Sequence, residues 1–335
     1  MADAGRITRR GFLVGTSGAL LALAAAACSS GGDGGGSTGS AGATVTDKYG
    51  QTQVGANPQR VVSVGYNDQD AILALGVVPV GVFDWYGNQP DATWPWAHDL
   101  LGGAHPAIVG TANTGIDVEK VAATNPDLIL GTYSGVTQSQ HDKLSALAPT
   151  VTQPKEFADY GVPWQDQTRI IGTALGRSDK AEEVVSAVQD KFTSVAAANP
   201  AFKGKTVIVG ALKGPGQFGV YGPEDPKVRF FTELGFVNPP VTQQINNTNF
   251  APISTEQLSL ADADLLVWYA GGGFGDKLRA ELDKTPVYKE LRSVKEGRTI
   301  ILEDEAAEAM TWSTVLSLPY ALDKIPPRIA PLLTK

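Results

Sequence analysis

The chain has 335 residues, 42% hydrophobic and 19% charged, enough for one large domain or two smaller ones with proper cores. Its formal net charge of -8 excludes a surface made for nucleic-acid phosphates. Its single cysteine excludes a disulfide within the chain.

The first residues read as an address. Arg6, Arg9 and Arg10 precede an apolar run from Gly11 to Ala27 that ends in small residues, which is a secretory signal peptide over 1–27 and too Ala/Gly-rich for a membrane span. Thr8-Arg9-Arg10-Gly11-Phe12-Leu13 resembles a twin-arginine export motif. Cys28 follows Ala25-Ala26-Ala27, with Leu23 nearby, and resembles a bacterial lipobox whose cysteine is lipidated. Residues 28–43 are Gly/Ser-rich and form a flexible tether. The expectation is a lipoprotein anchored to the outer face of the cytoplasmic membrane.

A first lobe spans 44–177. Asp47-Lys48-Tyr49-Gly50 reads as a hairpin turn, and Arg60–Val64 as a buried β-branched strand. Asn67–Leu75 reads as a helix closed by Gly76, and Val77–Phe83 as the next strand. A helix capped by Asp117 leads to the strand Asp127–Leu130; helices follow over Gln138–Leu147 and Trp164–Leu175. Ser178–Ala198 is the longest amphipathic pattern, with Ala181, Val184, Val185, Val188, Phe192, Val195 and Ala196 on one stripe. Asp179 and Glu182 suggest a capping box, Asn199-Pro200 a stop, and the connector is set at 178–199. About 20 residues at 1.5 Å each give a helix of about 30 Å.

A second lobe, 200–335, repeats the grammar. Thr206–Val209, Asp264–Trp268 and Thr299–Leu302 read as strands; Lys227–Leu234, Thr255–Ala261, Pro286–Arg292 and Trp312–Ile325 as helices, the last kinked at Pro319. The match is sharpest where Asp117-Val118-Glu119 precedes NPDLILGTY and Ser254-Thr255-Glu256 precedes ADADLLVWY. Ser254 and Gln257 also have capping-box spacing. The fold class is α/β: two Rossmann-like lobes, a single connector helix, and a ligand cleft between the lobes.

The blocks PQRVVSVGYNDQDAILALGVVPVGV, DVEKVAATNPDLILGTY, LSALAPTV, STEQLSLADADLLVWY and VYKELRSVKEGRTIIL, with the connector, resemble the class III substrate-binding proteins of ABC importers. That family carries ferric siderophores, haem or cobalamin. The resemblance implies small lobe motions and assigns Glu119 and Glu256 to docking on arginines of the permease dimer. A bland alternative is that both glutamates only stabilise their helix starts, by about 0.3–1 kcal/mol each.

In open α/β sheets ligands sit beyond the carboxyl ends of strands. The candidates there are Tyr66, Trp85, Tyr86, Tyr133, Ser134, Lys213, Tyr269 and Glu305, with Tyr221, Arg229, Met310 and Trp312 in nearby loops or helix starts. Aromatic rings suit a bulky, partly apolar chelate. Few basic groups converge, so a hydroxamate or mixed-type ferric siderophore is expected rather than a triply charged triscatecholate. Trp94 and Trp96 are expected to pack structurally or to form a rim.

Gly214-Pro215-Gly216-Gln217-Phe218-Gly219 fits G-x-G-x-x-G, but no helix can start there, so it is read as a loop near the ligand. His98, His105 and His141 make no metal-ligand cluster, and no nucleophile motif appears. The expectation is therefore a monomeric binding protein, not an enzyme, without a resident cofactor or metal; the ferric siderophore is the carried ligand. The alternatives are a haem or cobalamin carrier of the same fold, and an extracytoplasmic enzyme on this scaffold.

Overall fold

The computed structural model describes residues 42–243 and 250–334. The signal peptide, Cys28 and nearly all of the tether lie outside the described residues. Among those described, no helix is long and apolar enough to cross a membrane.

The first lobe opens with a hairpin of β1 (Thr44–Asp47) and β2 (Gly50–Gln53). The Asp47 carboxylate accepts from the Tyr49 and Gly50 amides at 2.8 and 3.1 Å, which makes the turn expected there. The lobe's sheet contains β3 (Val61–Ser63), β4 (Gly81–Asp84), β5 (Ala107–Thr111), β6 (Gly115–Ile116), β7 (Leu128–Gly131) and β8 (Thr150–Thr152). Their order is β6-β5-β4-β3-β7-β8, and only the β5–β6 pair is antiparallel. The chain runs outward from β3 to β5 and then returns to β7, so the direction of winding reverses between β3 and β7. Such switch points open a crevice at the carboxyl ends of the strands.

The second lobe is built on β9 (Val207–Gly214), β10 (Gln217–Tyr221), β11 (Phe250–Ser254), β12 (Leu265–Tyr269) and β13 (Thr299–Leu302), ordered β11-β10-β9-β12-β13. β9, β12 and β13 are parallel, while β10 and β11 run antiparallel. Here the winding reverses between β9 and β12.

The repeat seen in the sequence has a structural counterpart in two aspartates. Asp127 accepts from the Gln59 and Arg60 amides, each at 2.8 Å, and so holds the entry to β3. Asp264 accepts from the Thr206 amide and hydroxyl at 2.9 and 3.0 Å, and holds the entry to β9. Each acidic loop pins the first strand of its lobe's main sheet.

The helix Ser178–Ala198 joins the lobes. Ala181, Val185, Val188 and Phe192 are buried, with Val184 and Val195 packed against them, in one core that contains Val61 and Leu128 of the first sheet and Val207 and Val267 of the second. The helix packs on Trp164–Ala174, Pro226–Glu233 and Ser317–Lys324. A Cβ on Gly172 would meet the Ala181 side chain at 2.4 Å, so glycine sets the closeness of that crossing.

Several local expectations are corrected. Among the described residues no side chain caps the connector: Glu182 takes two bonds from Arg169 instead, at 2.8 and 3.2 Å. Thr255–Ala261 forms a 3-10 helix over Glu256–Ala261, although Ser254 and Gln257 exchange the expected pair of bonds. The G-x-G-x-x-G segment is the tight turn between β9 and β10, with Gly216 at φ 63, because both flanking runs pair as strands. Trp312–Ile325 is not one helix. A helix ends at Trp312 with Ser313 in the left-handed region, and another starts at Ser317. Pro319 then sits in a first turn, where its missing amide costs nothing and makes no kink.

Candidate ligand-binding cleft

Four of the candidate residues converge on one cavity of about 380 Å³: Trp85 and Tyr86 beyond β4, Tyr221 at the end of β10, and Tyr269 at the end of β12. Parallel register brings Tyr269 beside Ala211, which also lines the cavity. The first lobe supplies a continuous aromatic wall. Trp85 lies 5.0 Å from Tyr66 and 4.6 Å from Tyr86, measured between ring centroids, and 5.1 Å from Trp312.

Two further side chains bring charge to this region: Lys227 lines the cavity, and Glu308 is bonded to two of its tyrosines without lining it. Lys227 is buried, 3.0 Å from Asp225, and its ammonium stands 4.0 Å from the Tyr221 ring centroid and 5.4 Å from that of Tyr269. Glu308 is only 6% exposed. Its Oε2 accepts from the hydroxyls of Tyr86 and Tyr269, each at 3.0 Å, and its Oε1 accepts from the Gly272 amide at 2.8 Å. A Cβ on Gly271 would meet the Tyr269 hydroxyl at 2.2 Å and Glu308 Oε1 at 2.5 Å, so only glycine leaves room for this cluster. Burial raises the pKa of both phenols, and the neighbouring carboxylate adds to the shift, so both stay protonated through the ordinary pH range.

Tyr66 and Tyr133 contact Trp85 but line two other small cavities instead of this one. Tyr160 covers them, 4.7 and 6.0 Å away between centroids, and donates to the Tyr66 hydroxyl at 3.3 Å. Burial pushes the Tyr160 phenol up to about 12. Beneath them Asp68, fully buried, accepts from the Thr132 and Tyr133 amides at 2.7 and 3.0 Å and from Gln167 at 2.7 Å. Desolvation raises its pKa despite these bonds.

The other candidates lie elsewhere. Ser134 is buried and donates to the Gly131 carbonyl at 2.6 Å, closing the turn after β7, and lines a separate small cavity with Tyr66 and Tyr160. Met310 is fully buried in the shared core, on the inner face of the helix Glu305–Trp312. Trp312, 2% exposed, backs Trp85 and Tyr86 and does not line the cavity. Glu305 is exposed at the helix start and accepts from Tyr320 at 2.8 Å; the inward carboxylate is Glu308, one turn on. Arg229 donates to the Glu224 carbonyl at 2.8 Å and lines a small separate cavity with Tyr133. Lys213 is exposed on an adjoining cavity of about 410 Å³, which shares Leu212 and Phe274 with the cleft. Trp94 and Trp96 pack structurally, stacked at 5.1 Å, with Trp96 donating to Asp70 at 2.9 Å. Glu119 and Glu256 are exposed in the first turns of matching helices. Asp117 caps the first of these through the Glu119 and Lys120 amides, both at 3.1 Å.

A family model for periplasmic binding proteins matches residues 61–306. The chain belongs to that family. Among its relatives, the "probable siderophore-binding lipoprotein YfiY" of Bacillus subtilis is 28% identical over 290 residues, covering 81% of this chain and 82% of that protein. The "Fe(3+)-citrate-binding protein YfmC" of the same organism is 26% identical over 271 residues, covering 80% and 79%. A crystal structure of a periplasmic solute-binding protein from Mycobacterium smegmatis superposes with a TM-score of 0.77 at 34% identity, over 88% of this chain and 99% of that one. The two-lobed α/β architecture of this periplasmic binding protein is that of its solved relatives.

Three residues of the site escape a reading by strand ends: Glu308, Lys227 and Tyr160. Glu308 carried a signal, as the one carboxylate within the apolar stretch Ala306–Met310. Lys227 had a weaker one, following the Asp225-Pro226 helix start. Tyr160 lies in a loop at φ 59, with no pattern around it.

Proposed function

We propose that this protein captures a ferric siderophore outside the cytoplasmic membrane and hands it to the permease of an ABC importer. The observation that carries this reading is the aromatic cavity where strand ends of both lobes meet, lined by Trp85, Tyr86, Tyr221 and Tyr269. Such rings offer a partly apolar chelate large contact area at little entropic cost. The printed names of the two Bacillus relatives favour a ferric chelate as cargo. The task is binding and release, with no covalent chemistry.

The charge of the cleft favours a hydroxamate or mixed-type siderophore. Its lysine, Lys227, is already paired with Asp225, and Glu308 adds a carboxylate. A triply anionic chelate would meet too little positive charge there. The protein acts as a monomer, held to the membrane by lipidated Cys28 and its Gly/Ser tether. Glu119 and Glu256, exposed in matching positions on the two lobes, are its contacts with the permease.

Quenching of tryptophan fluorescence tests the reading, because Trp85 lines the cavity. Titration with ferrioxamine B, ferric citrate, a ferric triscatecholate, haem and cobalamin is expected to saturate with a hydroxamate or mixed chelate. Saturation by haem or cobalamin alone would overturn it.

A further inference from the structure

The cleft continues past Phe274. A second cavity of about 410 Å³ adjoins it, and the two share Leu212 and Phe274. Leu212, Pro215, Phe274 and Ala280 give this second cavity an apolar lining. Its walls are the turn between β9 and β10 and the helix Gly275–Asp283. The turn is held from two sides: the Gly216 amide donates to Glu281 at 3.0 Å, and the Gly216 carbonyl accepts from the Thr255 hydroxyl at 3.0 Å. Gly272 and Gly273 stand at φ 67 and 81, a backbone that suits glycine, and carry the chain from β12 to Phe274. Phe274 is 50% exposed, so an apolar face lies open where the two cavities meet.

Two cations of this groove lack a carboxylate partner. Lys213 and Lys277 line it. Among the described residues Lys213 forms no ion pair, and Lys277 stands over the Phe274 ring, 5.2 Å from its centroid, without one. The carboxylate of the groove, Glu281, is already bonded to the Gly216 amide and lies 3.6 Å from Lys284. In a chain of formal net charge -8, two unpaired lysines beside an apolar lining make a locally positive amphipathic surface. Such a surface complements a chain that is apolar along its length and anionic at its end.

We propose that this groove is a second subsite, which takes an apolar arm of the ferric chelate that ends in a carboxylate. The chelated centre sits among the aromatic rings of the cleft. The arm passes Phe274 and lies against Leu212, Pro215 and Ala280, and its carboxylate meets Lys213 and Lys277. All of these residues belong to the second lobe, so the subsite does not depend on how the two lobes close. The inference rests on the ferric-chelate reading above and narrows it to amphiphilic chelates.

The probes are three derivatives of ferrioxamine B that share one ferric centre and differ at the terminal amine: the N-acetyl form, the N-octanoyl form, and the amide of octanedioic acid, which ends in a carboxylate. Tryptophan quenching gives the affinity of each. Ratios are taken within each protein, so that a general loss of binding cancels. In the wild type the octanoyl form is expected to bind about tenfold or more tightly than the acetyl form. The octanedioic form should bind about two- to fivefold more tightly than the octanoyl form at low salt, a margin that closes at high salt. Lys213→Ala with Lys277→Ala should abolish the second ratio and keep the first, and Phe274→Ala should shrink the first. Absence of either ratio in the wild type overturns the inference and leaves chelate capture standing. A carboxylate preference that survives in the double lysine variant overturns it too, as does failure of all three derivatives to bind. Quenching by ferric citrate in that last case keeps the broader reading alive; its absence with every ferric chelate removes both.

Discussion

Asp70 shows how one buried side chain sets a pH dependence. It is fully buried, and its Oδ2 accepts from Trp96 and from the Thr314 hydroxyl, while Oδ1 has no hydrogen-bond partner among the described residues. Burial pushes its pKa up to about 6, against the opposing pull of Thr314, Trp96 and Trp312. A carboxyl whose folded pKa is raised stabilises the fold below its unfolded value, near 3.8, and loses that contribution as pH rises through about 6. The change is on the order of 3 kcal/mol. Thermal melts from pH 4 to 7 should show wild-type stability declining more steeply than that of Asp70→Asn, which does not titrate. Parallel profiles for the two proteins would refute this. Glu308 makes the complementary point about residues: its neighbours in sequence are alanines, and its partners Tyr86 and Tyr269 come from other elements.

Among elements, the connector helix was legible because its stripe repeats over 21 residues, and a burial pattern of that length overrides weak local signals. Its start was not legible. The capping residues at Asp179 and Glu182 were present, but Arg169 on the neighbouring helix offers Glu182 a two-pronged partner. The break between the terminal helices is not legible for a similar reason. Ser313 turns left-handed because the Trp312 carbonyl and the Thr314 hydroxyl are both engaged by the first lobe, which no sequence window contains. The connector's worth can be measured. Phe192 is buried and meets Phe230 edge-on at 5.7 Å, with residues of both sheets in the same core. Phe192→Ala should cost about 3–5 kcal/mol. Denaturant unfolding should still show one transition; two separate transitions would mean that the lobes hold their cores independently.

At the scale of the whole molecule, the doubling of the lobes was readable from Asp127 and Asp264 and from the strands that follow them. The meeting of the lobes was not, since contacts such as Asn67 to the Trp312 carbonyl, at 2.8 Å, leave no periodic trace. The doubling places one exposed first-turn glutamate on each lobe. Reversing both, Glu119→Lys with Glu256→Lys, should abolish uptake in cells while ligand affinity by fluorescence stays within about twofold, since neither side chain lines the cleft. Normal transport by the double variant would refute the docking role. The bonds from Asn67 and Asp70 to the final segment also bear on how the chain is made. They span 245 and 244 residues. Contacts of such long range form late, because the intervening chain must be ordered first. On the ribosome, the first lobe emerges long before Trp312 and Thr314 exist. Until those residues arrive, Asn67 and Asp70 lack these two bonds, so the first lobe alone is an unfinished domain.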